Sequence, residues 1–392
     1  MATAHINPKI IPWALRRLNL EIDSLVTKNL PLEKIKAWIS GQHPPTELQA
    51  EFLANRLRIP YLVLFLEEPP QLNEITLPDL RTVSGEKVSE PSVDFIDTLN
   101  AALIRQNWFK EYQLANGMRP LTFVGKFSTK DSVKNIAEDM RKTLGIDADF
   151  RHRCPSWTEF LRSFIRQAEG VGVLVMRNGV VEHSTKRRLN VKEFRGFAVS
   201  DPVAPLVFIN DGDARAAQNF TLAHELAHIW IGQSGISNSP IERRNLTPLA
   251  VERFCNQIAA ELLAPEEESR GIWRTDLSLE ANLKQWTHTF RVSKLMALLR
   301  AYELEFIEYG VYKAEFDQEL KRIKEEETLR KRKQKKKQQG DFWATLKLRM
   351  SDRFGRALVD GIRRDLTTYS EASSLLGVNI CTVEEFMRRE SA

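Results

Sequence analysis

The chain has 392 residues, 42% hydrophobic and 28% charged, with a formal net charge of +5. These are the proportions of a soluble globular protein with room for two or three domains, and so mild a positive charge permits nucleic-acid binding without demanding it. No apolar run approaches the length of a membrane span, the opening MATAHINPKIIPW lacks the pattern of a secretory signal, and three scattered cysteines (Cys154, Cys255, Cys381) do not make a disulfide framework. The expected location is therefore the cytoplasm, with no membrane partner.

In chain order, the first 65 residues are helical in period. IIPWALRRLNL, EIDSLVTKNL, PLEKIKAWIS and TELQAEFLANRL each place apolar residues three and four apart, as a small helical bundle requires. A Pro-rich acidic stretch from Glu67 to Pro78 reads as an exit linker. Residues 90–169 offer three further helices and no chemical motif. At Gly170 the character changes: GVGVLVM and APLVFIN are β-branched runs bounded by Gly, Pro, Asn and Asp, and read as strands. The second ends in a turn at Asn210–Asp211–Gly212, and the helix containing TLAHELAHIW follows. Another helix runs from about Pro248 to Leu263, and a helix pair from LKQWTHTF to LLRAYEL. Residues 319–339 are acidic and then basic, a solvated helix or linker, with DNA-phosphate contact by the basic part (330–337) as the alternative. The tail, YSEASSLLGVNICTVEEFMRR, has a helix, a Gly-centred turn and a second helix.

The chemistry concentrates in TLAHELAHIW. Apolar residues cover nearly the whole wheel from 216 to 231, so the helix is buried on most sides, and two imidazoles and a carboxylate there need partners. His224 and His228, four apart, project from one face as two ligands of a single ion require. Glu225 lies on the flank, in reach of a metal-bound water. The competing reading is a core helix whose histidines are held by hydrogen bonds. A catalytic zinc needs a third protein ligand, and the next helix offers Glu252 and Glu261. Glu252 shares a small apolar stripe with Asn256, Ala259 and Leu263, whereas Glu261 falls with Arg253 and Gln257 on the polar side, so Glu252 is the better candidate. Asn256 is placed to orient it, and Cys255 reads as a core cysteine before a soft ligand. The strand ending at Asn210 is a place for an extended substrate to dock by β-addition. Nothing local assigns a role to His183 or His288, and no residue is nominated to stabilise an oxyanion.

FTLAHELAHIWIG followed by VERFCNQIAAELLAP resembles the ImmA/IrrE family of metallopeptidases over roughly residues 170–310, with Cys255 and Ile258 departing from the family's usual alanine and phenylalanine. The resemblance implies that His224, His228 and Glu252 bind Zn²⁺ and that Glu225 is the catalytic base. The N-terminal LNLEIDSLVTKNLPLEKIKAWISGQHPPTELQAEFLANRL resembles the XRE (lambda-repressor-like) helix-turn-helix family, EIDSLVTKN matching its first crossing helix and PLEKIKAW its recognition helix. Lys34 and Lys36, with Arg16 and Arg17, are then the candidate DNA contacts. Together the two resemblances imply a transcription regulator that cleaves a protein substrate such as a helix-turn-helix repressor. The alternative is a regulator whose peptidase-like domain senses metal or ligand without proteolysis. Double-stranded DNA and a second copy of the chain are further expected partners.

The expected fold is mainly α with a small β-sheet (α+β): a five-helix DNA-binding bundle over 1–70, a helical connector over 71–165, a zincin-like peptidase domain over 166–315, a charged linker over 316–340 and a helical, helix-turn-helix-like segment over 341–392.

Overall fold

The computed structural model describes residues 3–18, 20–59, 61–70, 91–237, 250–333 and 341–390. It is mainly α-helical with a small mixed sheet, and the chain divides into two compact units, Met1–Thr76 with Ser89–Ile96, and Leu77–Val88 with Asp97–Ala392. The predicted exit linker lies partly, and the start of the helix predicted from Pro248 wholly, outside the described residues. Among the described residues no helix is long and apolar enough to cross a membrane.

The first unit contains α1 (Ile10–Leu18), α2 (Leu32–Ile39) and α3 (Glu47–Leu57), with 3-10 turns at Ile22–Leu25 and Tyr61–Phe65. Ile10, Ile11, Ala14, Leu25, Ile35, Trp38, Leu53, Leu57 and Leu64 form its core. A capping box starts α3: Gln49 N donates to Thr46 Oγ1 (3.3 Å) and Thr46 N to Gln49 Oε1 (3.0 Å). The five helices expected here are three α-helices and two single 3-10 turns, and the segment EIDSLVTKN does not form a full crossing helix. Its own side chains compete for the backbone. Ser24 Oγ donates to Glu21 O, and Thr27 Oγ1 accepts from Leu30 N within a small Thr27–Leu30 bridge, while Val26 is extended.

The chain passes into the second unit within α4 (Val93–Ala115). There follow α5 (Val133–Leu144), α6 (Ala148–His152) and α7 (Trp157–Gly170), then β1 (Leu174–Asn178), β2 (Val180–Val181), β3 (Ser184–Arg188), β4 (Gly196–Val199) and β5 (Leu206–Asn210). After α8 (Arg215–Trp230), β6 (Gly235–Ser237) completes a four-stranded sheet in the order β1-β5-β4-β6. β5 is parallel to β1, and β4 is antiparallel to both β5 and β6. β2 and β3 pair separately. This order corrects the docking strand read from sequence: β5, which ends at Asn210, is interior, with both edges already paired to β1 and β4. Among the described residues β6 is the sheet edge on the side of α8.

α8 lies across β4 and β5, with α7 and α9 (Ala250–Leu263) packed on it and α5 against α9. The core continues through α10 (Glu266–Ile272), α11 (Leu279–Phe290), α12 (Lys294–Glu303) and the start of α13 (Tyr309–Lys333). α13 carries helix well into the stretch expected to be a linker; the side chains of the basic run 330–337 lie outside the described residues. α14 (Phe342–Met350) packs on β1, α15 (Asp352–Arg363) follows, and α16 (Tyr369–Leu376) joins α17 (Ile380–Glu390) through Gly377 in the left-handed region (φ 66°).

Candidate metal centre

Both ends of α8 are pinned. At its start, Asn210 Oδ1 accepts from Gly212 N (3.0 Å), Asn210 Nδ2 donates to Phe194 O (3.1 Å) and Gln218 Nε2 donates to Asp213 O (2.7 Å), tying the helix to the end of β5. At its end, the orphan carbonyls of Ile229 and Trp230 accept from Gly125 N (2.9 Å) and Phe127 N (3.1 Å), and the Trp230 indole stacks on Phe123 and donates to Asp139 (3.0 Å). A helix fixed this way holds its middle turns in one register, and those turns carry His224, Glu225 and His228.

The apolar wheel of α8 does bury these groups: His224 is 2%, Glu225 0% and His228 1% exposed. On α9, Cys255, Ile258, Ala259 and Ala260 are buried in the common core, and these mostly small side chains let the two helices approach closely. That approach brings Glu252, in the first turn of α9, to both imidazoles. Its carboxylate oxygens stand 3.3 Å from His224 Nε2 and 3.2 Å from His228 Nε2, and the two Nε2 atoms are 3.1 Å apart. The three donors thus form a nearly equilateral triangle, the one such cluster among the described residues.

The donor set fits Zn²⁺. Ligands held about 2.0–2.1 Å from a tetrahedral zinc stand about 3.3 Å from one another, close to the edges of this triangle. Two imidazole Nε2 atoms 3.1 Å apart have room for at most one proton between them, and a cation at the centre of the triangle would satisfy lone pairs that a proton cannot. Burial raises the affinity of Glu252 for a proton, but hydrogen bonds and charge from His224 and His228 outweigh it and hold the carboxyl well below the usual range. An anion fixed between two imidazoles is the charge a divalent cation seeks. Both Nδ1 atoms are buried without hydrogen-bond partners, so neither ring takes its orientation from a carboxylate or carbonyl behind it.

Packing orients the His228 ring instead, and two glycines to which the sequence assigned no role lie against the site, one on His228 and one on Glu225. A Cβ built on Gly235 of β6 would stand 2.8–3.1 Å from three atoms of the His228 ring. One built on Gly196 of β4 would meet Thr221 Cγ2, Phe208 O and Glu225 Oε1 at 2.7–2.9 Å. An isolated glycine inside a strand is a signal of close approach, but both strands are too short to be read with assurance from their residues alone.

Cys255 is outside the triangle. Burial, with the charges of Glu252 and Glu225 nearby, pushes its thiol pKa well above the ordinary value, so it stays protonated. Asn256 is one turn after Glu252, with its Oδ1 buried and unpartnered. Glu261 is not on a polar face, as its position on the wheel suggested. It is 5% exposed and ion-paired with buried Arg300 of α12, whose Nε donates to Ala264 O (3.1 Å). Arg141 also donates to Glu261 O (2.7 Å). His288 is exposed on α11, and His183 lies elsewhere, against α14 and α16.

In the first unit, Lys34 and Lys36 on α2 and Arg16 on α1 are exposed. Arg17 is half-buried, its guanidinium 5.9 Å from the Trp13 ring and donating to Arg58 O (3.4 Å).

Residues 168–302 match the IrrE N-terminal-like domain of the M78 peptidase family. The match runs from the end of α7 into α12, and it takes in the whole sheet and all three residues of the triangle. No curated protein matches the chain.

Proposed function

We propose that residues 168–302 carry a zinc-dependent endopeptidase site acting on a protein substrate such as a helix-turn-helix repressor, and that the N-terminal unit couples this activity to double-stranded DNA. The observation that carries the reading is the buried triangle of His224, His228 and Glu252 on two helices of a peptidase-like domain.

Zinc, when bound, supplies Lewis acidity and lowers the pKa of a water beside it. The chain's own groups do the rest. His224 and His228 present Nε2, and Glu252 contributes the negative charge. Glu225, adjacent to His224 and buried beneath Gly196, is the carboxylate that takes a proton from water as its oxygen attacks the scissile carbonyl carbon. The Glu225 carboxyl then delivers that proton to the departing amine nitrogen as the C–N bond breaks. Asn256, one turn after Glu252 on α9, is the residue placed to orient that carboxylate. An extended substrate adds to β6, whose Gly235 lies on the His228 ring, so that the scissile bond is brought to the site.

The DNA reading is supported by the exposed cations Arg16, Lys34 and Lys36, which suit phosphate contact; Arg17 is largely engaged with Trp13 and Arg58.

The test is zinc content of the full chain as wild type, Glu225→Gln, His228→Ala and Glu252→Gln, together with cleavage of a co-expressed helix-turn-helix repressor. Equimolar zinc in the first two proteins, its loss from the last two, and cleavage by wild type alone are expected. Zinc absent from all four proteins, or cleavage undiminished in Glu225→Gln, overturns the proposal. A wild type that keeps zinc, cleaves nothing and binds DNA no differently from Glu225→Gln is a metal-sensing regulator instead.

A further inference from the structure

His183, to which the sequence assigned no role, stands in the wall of a second cleft, built from α4, the β1–β2 corner, α14 and the end of α16. It is lined by Arg105, Asn178, Glu182, His183, Arg349 and Leu376 among others, and it is partly open to solvent.

The polar groups of this cleft are unevenly matched. Arg105 spends its Nε on Leu375 O (2.8 Å) and Arg349 one Nη on His183 Nδ1 (2.9 Å). Among the described residues neither guanidinium forms an ion pair, although arginines elsewhere in the second unit pair with Asp97, Asp211, Asp213 and Glu261. Glu182 also lines the cleft and attracts Arg105 without forming an ion pair with it. The imidazole is a strut: Nδ1 accepts from Arg349 and Nε2–H donates to Leu376 O (2.7 Å), so it is neutral and has no nitrogen left for a ligand. Burial lowers the pKa of Arg105 and Arg349, and that of the neutral His183 likewise.

Two guanidinium groups with unused N–H donors, facing one cleft and lacking carboxylate partners, call for an anion with several acceptor oxygens. We propose that this cleft binds a small oxyanion, a phosphoryl or carboxylate group, held by Arg105 and Arg349 with His183 as the residue that positions Arg349. Because its walls come from the sheet and from α14 and α16, the bound anion clamps the C-terminal helices to the peptidase-like domain. The inference does not depend on the metal centre.

The test is a thermal-shift titration of the full chain with inorganic phosphate and, separately, with acetate, at constant ionic strength held by chloride. A saturable rise in Tm is expected with at least one of them, and it should be abolished or weakened at least tenfold in Arg105→Gln and in Arg349→Gln. A rise with phosphate alone identifies a phosphoryl ligand, and a rise with acetate alone a carboxylate. No saturable rise with either anion, or an equal rise in both variants, overturns the site. Should the glutamine variants not fold, hydrogen exchange of the wild type decides. Phosphate or acetate must slow exchange around residues 178–183 and 349–376, and slowing confined to other segments overturns the proposal.

Discussion

Gly235 lies directly against the imidazole of His228: a Cβ on its backbone would stand 2.8 Å from Cε1 and 3.0 Å from Nδ1. Since His228 Nδ1 has no hydrogen-bond partner, this contact takes the place of the polar brace that usually fixes a metal-binding histidine. Gly235→Ala is therefore expected to turn the ring off the triangle. Zinc affinity should fall by about 10- to 100-fold, the range seen when such an orienting partner is lost. Competition against a chromogenic chelator measures this, and an affinity equal to wild type would show that β6 does not position the ring.

Gly196 plays the corresponding part beneath Glu225, but with a less forgiving neighbour. One of the atoms a methyl group would meet is the backbone oxygen of Phe208, in the paired strand β5. A side chain can rotate away; a ladder carbonyl cannot. Gly196→Ala should destabilise the second unit by about 1–3 kcal/mol, the usual cost of overpacking. Urea unfolding followed by tryptophan fluorescence reads this directly, since Trp230 belongs to the same core.

What could be read in advance divides along sequence distance. The juxtaposition of His224, His228 and Glu252 follows from local rules: a four-residue spacing on a buried helix, and a helix wheel that puts Glu252 on a stripe of small residues. The mainly helical architecture with a small sheet was legible for the same reason. Strand order was not, because the pairing of β5 on both sides depends on β4 and β6, two short segments whose glycines weaken any strand pattern. The shortened crossing helix escaped the periodicity because Ser24 and Thr27 satisfy backbone groups locally, an effect that apolar spacing does not register. Glu261 was misplaced because its partner, Arg300, is 39 residues away and no wheel of α9 contains it.

That pair supplies a control for the ligand assignment. Arg300 and Glu261 are 7% and 5% exposed, so removing one leaves the other's charge buried and uncompensated. Glu261→Ala should cost about 3–5 kcal/mol. The double change Glu261→Met with Arg300→Met should cost clearly less than the two single changes together, because no orphaned charge remains. Throughout, zinc stoichiometry should stay at the wild-type value in whatever protein is folded, in contrast to Glu252→Gln. Denaturation with parallel metal analysis checks both halves, and zinc loss in a folded Glu261 variant would assign the third ligand to the wrong glutamate.

Glu169, at the end of α7, gives the second unit a pH dependence of its own. Burial raises its pKa, and the charge of Asp352 adds to this; hydrogen bonds from Ser351 and from the backbone of Asp352 and Arg353 oppose the rise but do not cancel it. With the folded pKa above the unfolded value of about 4.3, the folded state binds the proton more tightly. The stability this contributes is fully present below the unfolded pKa and is lost as pH rises through the folded one. Glu169→Gln keeps an acceptor oxygen for Ser351 Oγ and removes the charge. Its Tm should therefore exceed that of wild type above the raised pKa, with the gap closing as pH falls towards the unfolded value. Melting curves of the two proteins across pH 4–8 measure the difference. A gap that widens on acidification would mean that the Glu169 carboxylate is stabilised in the fold rather than penalised.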